Sequence, residues 1–241
     1  MSKLGSRLLV TSKEQIQELI KVALGEAEAD LAIVNGSIVN VYTGEVLTGD
    51  SVLIKGDKIA YVGKNVDKSI GSSTQVIDAA GKTLIPGLID GHTHMLYPSS
   101  VYELLRYAMK GGTTTIITEI VEIGFVLGYQ GIIQFLRVIK NQPIKFFVTI
   151  PPLVTISPAA KEHAISVSEL RKLLRRKEVI GLGEPYWAPV IEGDQGLLDL
   201  FAEVIKADKK VEGHSAGARG NKLQAYITTG ISSCQALRIS S

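Results

Sequence analysis

The sequence has little with which to cross-link itself: among 241 residues there is one cysteine, Cys234. An internal disulfide is therefore excluded, and a reducing cytoplasm is the expected location. Net charge is also nearly absent. Lys and Arg number 26 against 24 Asp and Glu, which removes any electrostatic reason to expect a nucleic-acid or membrane partner. No apolar run approaches the ~20 residues of a transmembrane helix. Met1 to Val10 has Lys3 and Arg7 but neither an apolar core nor a small-residue cleavage site, so no signal peptide is expected. Histidine is scarce as well, with only four in the chain. Their positions therefore carry information.

What is present falls into two patterns. Thr11-Ser12 followed by Glu14-Gln15 offers a capping box, and Ile16, Leu19, Ile20, Val22 and Ala23 form an apolar stripe. A helix to about Leu24 is predicted, stopped at Gly25. Short β-branched runs broken by Asn35-Gly36, Gly44, Gly56-Asp57 and Gly63 follow, which is hairpin punctuation. Residues 1–82 therefore read as a helix and a small antiparallel β unit.

From Thr83 the pattern changes to apolar strands alternating with helices. Strands are predicted over Leu84–Asp90, Thr114–Glu119, Lys145–Ile150, Val179–Glu184, Lys210–His214 and Ile231–Gln235. Helices fall between them, over Val101–Lys110, Ile132–Lys140, Val167–Arg176, Gln195–Lys206 and Asn221–Thr229. The basic stretch Arg171 to Lys177 carries Leu173 and Leu174 at helical spacing and reads as the wet face of a surface helix. Near-continuous apolar strands alternating with helices mean parallel βαβ units. The lack of a Gly-x-Gly-x-x-Gly turn favours a barrel over a dinucleotide-binding sheet. The expected fold is α/β: an incomplete (β/α)8 TIM-type barrel over 83–241, with about six of eight units. Two open parallel edges would follow, predicting a fragment, a truncated product, or self-association into a homo-oligomer.

Candidate chemistry collects at the strand ends. Gly91-His92-Thr93-His94 ends the first barrel strand, where residues two apart face the same side. Both imidazoles can face one metal at the barrel end where active sites form. Glu184, closing Gly181-Leu182-Gly183-Glu184, can bridge two cations or accept a proton. His214 closes Val211-Glu212-Gly213-His214 at the fifth strand. Three strands thus present metal-ligand types at one face. His163, after a proline-containing loop, reads as an exposed loop or helix-start residue, and Cys234 as small core filler.

These residues resemble the adenine deaminases of the metal-dependent amidohydrolase superfamily. The resemblance is carried by Val22-Ala23-Leu24-Gly25, Ala29-Asp30-Leu31 and Ile38 to Gly44, then by Pro86 to His94. Gly112-Thr113-Thr114-Thr115, Gly181 to Glu184, and Glu212-Gly213-His214 with Gly217 and Gly220 complete it. It implies that His92 and His94 bind one divalent metal, that Glu184 bridges, and that His214 binds a second. The metals would be Mn, Fe or Zn. It also implies a small β-sandwich-like unit at the N-terminal end, and hydrolysis of a small-molecule purine base, adenine to hypoxanthine and ammonia. Two stretches depart from the family pattern. Glu119-Ile120-Val121-Glu122 stands where an Asp-Pro-His-Glu-like run is usual, and Ser233-Cys234-Gln235-Ala236 where a His-Glu pair is usual. The family's eighth-strand aspartate has no counterpart before Ser241. Two other readings stay open: a noncatalytic scaffold of the same fold, and a hydrolase of another cyclic amide or amidine.

Overall fold

A computed structural model describes residues 12–152 and 162–235. It divides at Pro86/Gly87 into two compact units.

In the first unit, helix α1 (Lys13–Leu24) starts as its sequence dictates. Ser12 caps it by accepting from the Gln15 amide, while the Gln15 side chain returns to the Ser12 amide. Gly25 ends it in the left-handed conformation, at φ 76°. Val22 buries against Ala29, Ala32, Leu53 and Val66 to form a small core. One sheet has the order β5 (Lys58–Gly63), β4 (Ser51–Lys55), β1 (Leu31–Val34), β6 (Gln75–Asp78). A second holds β3 (Val46–Thr48), β2 (Ser37–Val39) and β7 (Thr83–Leu84). The unit is not wholly antiparallel as the turn signals suggested: β6 runs parallel to β1, and β7 parallel to β2. Turn residues fix the direction only of consecutive strands, whereas β6 and β7 return from a distance to earlier ones.

In the second unit the described residues form a six-stranded sheet in sequence order: β8 (Leu88–Thr93), β9 (Thr113–Glu119), β10 (Lys145–Ile150), β11 (Val179–Leu182), β12 (Lys210–His214) and β13 (Ser233–Gln235). Every neighbouring pair is parallel. This is a curled, incomplete barrel of the (β/α)8 type. Between the strands lie α2 (Val101–Lys110), α3 (Val121–Val138), α4 (Val167–Leu174), α5 (Trp187–Ile191), α6 (Gln195–Lys206) and α7 (Gly220–Ile227). Their apolar faces supply Leu105, Ile132, Phe135, Leu170, Leu173, Leu200, Phe201 and Val204 to one buried core with Ile116, Val148, Ile150 and Leu182 of the strands. Arg171 on α4 makes a two-pronged ion pair with Glu203, at 2.6 and 2.7 Å, on the wet side.

Several boundaries differ from the sequence expectation. The run Leu84–Asp90 is two strands. Thr83–Leu84 pairs with β2, and Pro86, lacking an N–H, separates it from β8. Helix α3 starts at Val121, eleven residues before the predicted Ile132, because Gly124, Gly128 and Gly131 obscure its helical pattern. With the turn that follows, Val121–Asn141 is long and apolar enough to cross a membrane by length and composition, which the sequence reading had not found. In this fold Ile132, Phe135, Leu136 and Ile139 of that stretch are core residues. Cys234 is exposed rather than core; among the described residues β13 stands at one end of the sheet order.

Candidate metal centre

The C-terminal ends of β8, β11 and β12 bring the predicted residues together. Alternation along β8 sets His92 and His94 on one side, with ring centroids 5.3 Å apart and planes at 77°. Glu184 lies across from both. Its Oε1 is 3.3 Å from His92 Nε2 and its Oε2 is 3.3 Å from His94 Nε2. His214 Nδ1 is 3.5 Å from Glu184 Oε1. His163 is not part of this group; its Nε2 lies 3.5 Å from Glu162 Oε1.

Glu184 sits two residues beyond the end of β11, at φ 41°. A left-handed backbone costs a side-chain-bearing residue roughly 1–2 kcal/mol. Such strain persists where the surroundings impose it, and it collects at functional sites. Here it turns the carboxylate back between the two imidazoles.

The donor set fits a cation. One ligand atom from each of His92, His94 and Glu184 falls within 4.8 Å of the others. His92 Nε2 and Glu184 Oε1 are buried, face each other, and make no hydrogen bond. Three carboxylates, Glu122, Glu184 and Glu212, converge here, and among the described residues their ion pairs are with histidines alone. A partly buried acidic cluster without a Lys or Arg partner is costly unless a cation neutralises it. Imidazole and carboxylate together suit Zn, Fe or Mn.

Sequence reading missed the groups behind the histidines. His92 Nδ1 is 2.9 Å from Glu212 Oε1, and His94 Nδ1 is 3.2 Å from Glu122 Oε1. A carboxylate at Nδ1 fixes the proton on that nitrogen and leaves Nε2 a bare acceptor facing Glu184. The run Glu119-Ile120-Val121-Glu122, which lacks the usual histidine, thus still supplies a carboxylate to the site. Outer-shell groups of this kind are worth roughly 10–100-fold in metal affinity. Glu212→Gln and Glu122→Gln are each expected to weaken binding of Zn by about that factor, measured by competition with a chelating dye. Unchanged affinity in both variants would remove their orienting role.

Tyr226 on α7 was also missed. It is fully buried, donates from its hydroxyl to the Pro185 carbonyl, and accepts from the His214 amide at 2.9 Å. Burial is the largest cause holding its phenol far above the usual range, so it stays a donor. It ties the end of β12 to the turn carrying Glu184. Trp187 adds a second tie, donating from Nε1 to the Ala216 carbonyl at 2.9 Å.

A cavity of about 650 Å³ opens beside the cluster. Glu184, His94 and His214 line it, together with Tyr97, Phe125 and Tyr186. The Tyr97 ring stands 5.3 Å from that of His94, and the Tyr186 ring 5.9 Å from that of His214. Burial, then the charges of Glu122 and Glu184, raise the Tyr97 pKa. The cavity therefore has flat apolar walls and an acidic, histidine-bearing floor, the usual make-up of a small-molecule site.

No family model matches the chain. Curated relatives do. An adenine deaminase of Cenarchaeum symbiosum is 34% identical over 91% of this chain and 36% of its own length. One of Listeria monocytogenes serotype 4b is 38% identical over 90% of this chain and 37% of its own. Adenine deaminase 3 of Rhizobium meliloti is 36% identical over 88% and 36%. The chain spans little more than a third of the length of these relatives. Among solved structures, an amidohydrolase aligns with TM-score 0.58 at 17% identity, covering 85% of this chain and 60% of that one. A structure of an adenine deaminase aligns with TM-score 0.56 at 20% identity, covering 80% and 52%. Such likeness at low identity carries the fold alone, a (β/α)8-type barrel in part.

Proposed function

We propose, from the chain's homology with adenine deaminases over nine-tenths of its length, that it carries the metal-binding part of a hydrolytic deaminase acting on adenine. The observation that carries this reading is Glu184, held in a left-handed conformation with one oxygen facing the Nε2 of each of His92 and His94. His92, His94, Glu184 and His214 would hold the divalent metal, two ions in a complete site. When bound, such ions supply Lewis-acid activation of water and of the substrate.

The chain's own residues supply the rest. Glu212 and Glu122 hold the two imidazoles in one tautomer. Glu184, on the cavity wall, can take a proton from water and release it toward a departing amine. Tyr97, Phe125 and Tyr186 offer flat faces to a planar base. We place the protein in the cytoplasm, since its single cysteine needs no oxidising compartment. We also propose that it self-associates, which sedimentation velocity tests.

A second reading, a metal-binding scaffold without turnover, is favoured by one observation. Ser233, Cys234 and Gln235 of β13 belong to the stretch where the resemblance calls for a His-Glu pair, with Gln235 in place of the imidazole, and Ala236 lies outside the described residues. Adenine is the first substrate to test, followed by other cyclic amides and amidines. Ammonia release from adenine by the metal-loaded chain, lost in His92→Ala, supports the deaminase. Bound metal without ammonia from any of them leaves the scaffold.

A further inference from the structure

Glu119 ends β9 on the wall of the same cavity and takes no part in the histidine cluster. It is 1% exposed. Its Oε1 accepts from Thr149 Oγ1 at 2.5 Å, while its Oε2 is buried with no hydrogen-bond partner. Room for the carboxyl comes from Gly183, where any Cβ would overlap it. Burial is the main cause raising its pKa well above the carboxylate range; the Thr149 bond opposes this, and Glu184, Glu212 and Glu122 add to it. Burial with no cationic partner favours the neutral acid, which has one O–H to donate. Thr149 is engaged with Oε1, and Oε2 has no partner of its own. A buried polar group left in that condition is costly.

We propose that Glu119 is the group that reads the substrate. Its Oε2 hydrogen-bonds a ring nitrogen of a planar heteroaromatic base lying in the cavity beside Glu184. This deepens the deaminase reading and rests on it. The partner is an acceptor nitrogen flanked by flat carbon, as in a purine. Thr149 fixes the rotamer by holding Oε1. The aromatic walls hold the ring in the plane where only its edge atoms meet Glu119. The group discriminates by hydrogen bonding, in which a missing partner is penalised more heavily than a missing methylene.

The test is calorimetric binding of adenine to the metal-loaded chain, beside 1-deaza-, 3-deaza- and 7-deazaadenine, each of which replaces one acceptor nitrogen by C–H. One analogue is expected to bind the unmodified chain about tenfold more weakly than adenine, the worth of one hydrogen bond. Glu119→Ala is expected to bind adenine about tenfold more weakly and to lose that discrimination. Glu119→Gln keeps an N–H donor in the same shape and should stay within about threefold of the unmodified chain. Metal content should be unchanged in both. Equal adenine affinity in Glu119→Ala, or discrimination that survives it, overturns the proposal. Loss of metal in that variant overturns it too, by making Glu119 a ligand. Should Glu119→Ala fail to fold, Glu119→Gln and the analogue series decide. Failure of all three analogues to differ from adenine, or a Glu119→Gln form that loses binding, overturns it. If the unmodified chain binds metal but no adenine, the deaminase reading fails, and this one with it.

Discussion

Glu184→Ala is expected to cost the chain its bound metal, with affinity falling by more than the roughly 10–100-fold typical of outer-shell groups. The carboxylate supplies one oxygen toward each imidazole, both at 3.3 Å. Without it, His92 and His94 no longer share a ligand, and His214, 3.5 Å from Glu184 Oε1, is left beside the gap. The same change should not unfold the protein, because Glu184 contributes strain to the fold rather than packing. Glu184→Gly makes this plain. Glycine adopts a φ near 41° without the penalty borne by a side-chain residue, which offsets its greater entropy loss on folding. Its thermal midpoint should equal or exceed that of the unmodified protein when both are metal-free, while metal binding is lost. A midpoint well below the unmodified one would mean that Glu184 is a structural residue and would contradict the metal role.

Gly181→Ala should be the most destabilising single methyl addition in the barrel. A Cβ at this position would sit on the backbone carbonyl of Lys210 in the neighbouring strand, where no side chain can swing aside. Gly181 pairs with Lys210 in the β11–β12 register, so relief requires the two strands to part. Overpacking in a core costs about 1–3 kcal/mol and sometimes more, and the rigid neighbour here puts the expected value near ~3 kcal/mol. For a chain of this size that lowers the midpoint by roughly 6–12 °C. Metal affinity should fall with it, because Glu184 and His214 follow these two strands. Gly111→Ala is the matched control. Its Cβ would meet backbone atoms no closer than 3.5 Å, so little change or a slight gain is expected. Equal midpoints for the two variants would show that the close approach of β11 and β12 is absent.

The parts of the site set by local pattern were legible in the sequence. The two-residue alternation of a strand puts His92 and His94 on one side, and a strand that closes on Gly183-Glu184 marks a carboxylate at its end. Helix α2 and strand β12 likewise match their predicted spans, because capping and periodicity are local signals. The supporting shell was not legible. Glu212 is 120 residues from His92 and Glu122 is 28 from His94, and nothing in either local pattern announces the pairing. Glu122 was further hidden by α3, whose glycines mask the start of the helix and whose φ of 53° at Gly128 breaks its regularity. Glu119 reads as an ordinary acidic strand end until the sheet closes over it. Parallel returns in the small unit were invisible for the same reason, since β6 and β7 pair with strands far back in the chain.

The central claim is that these strand ends build a metal centre from His92, His94, Glu184 and His214. Elemental analysis after loading with Zn, Mn or Fe and removal of excess metal tests it most directly, on the unmodified chain and on His92→Ala. At least one equivalent per chain, lost in the variant while its circular dichroism is unchanged, is the predicted result. No metal in the unmodified chain, or the same content in both, would contradict it.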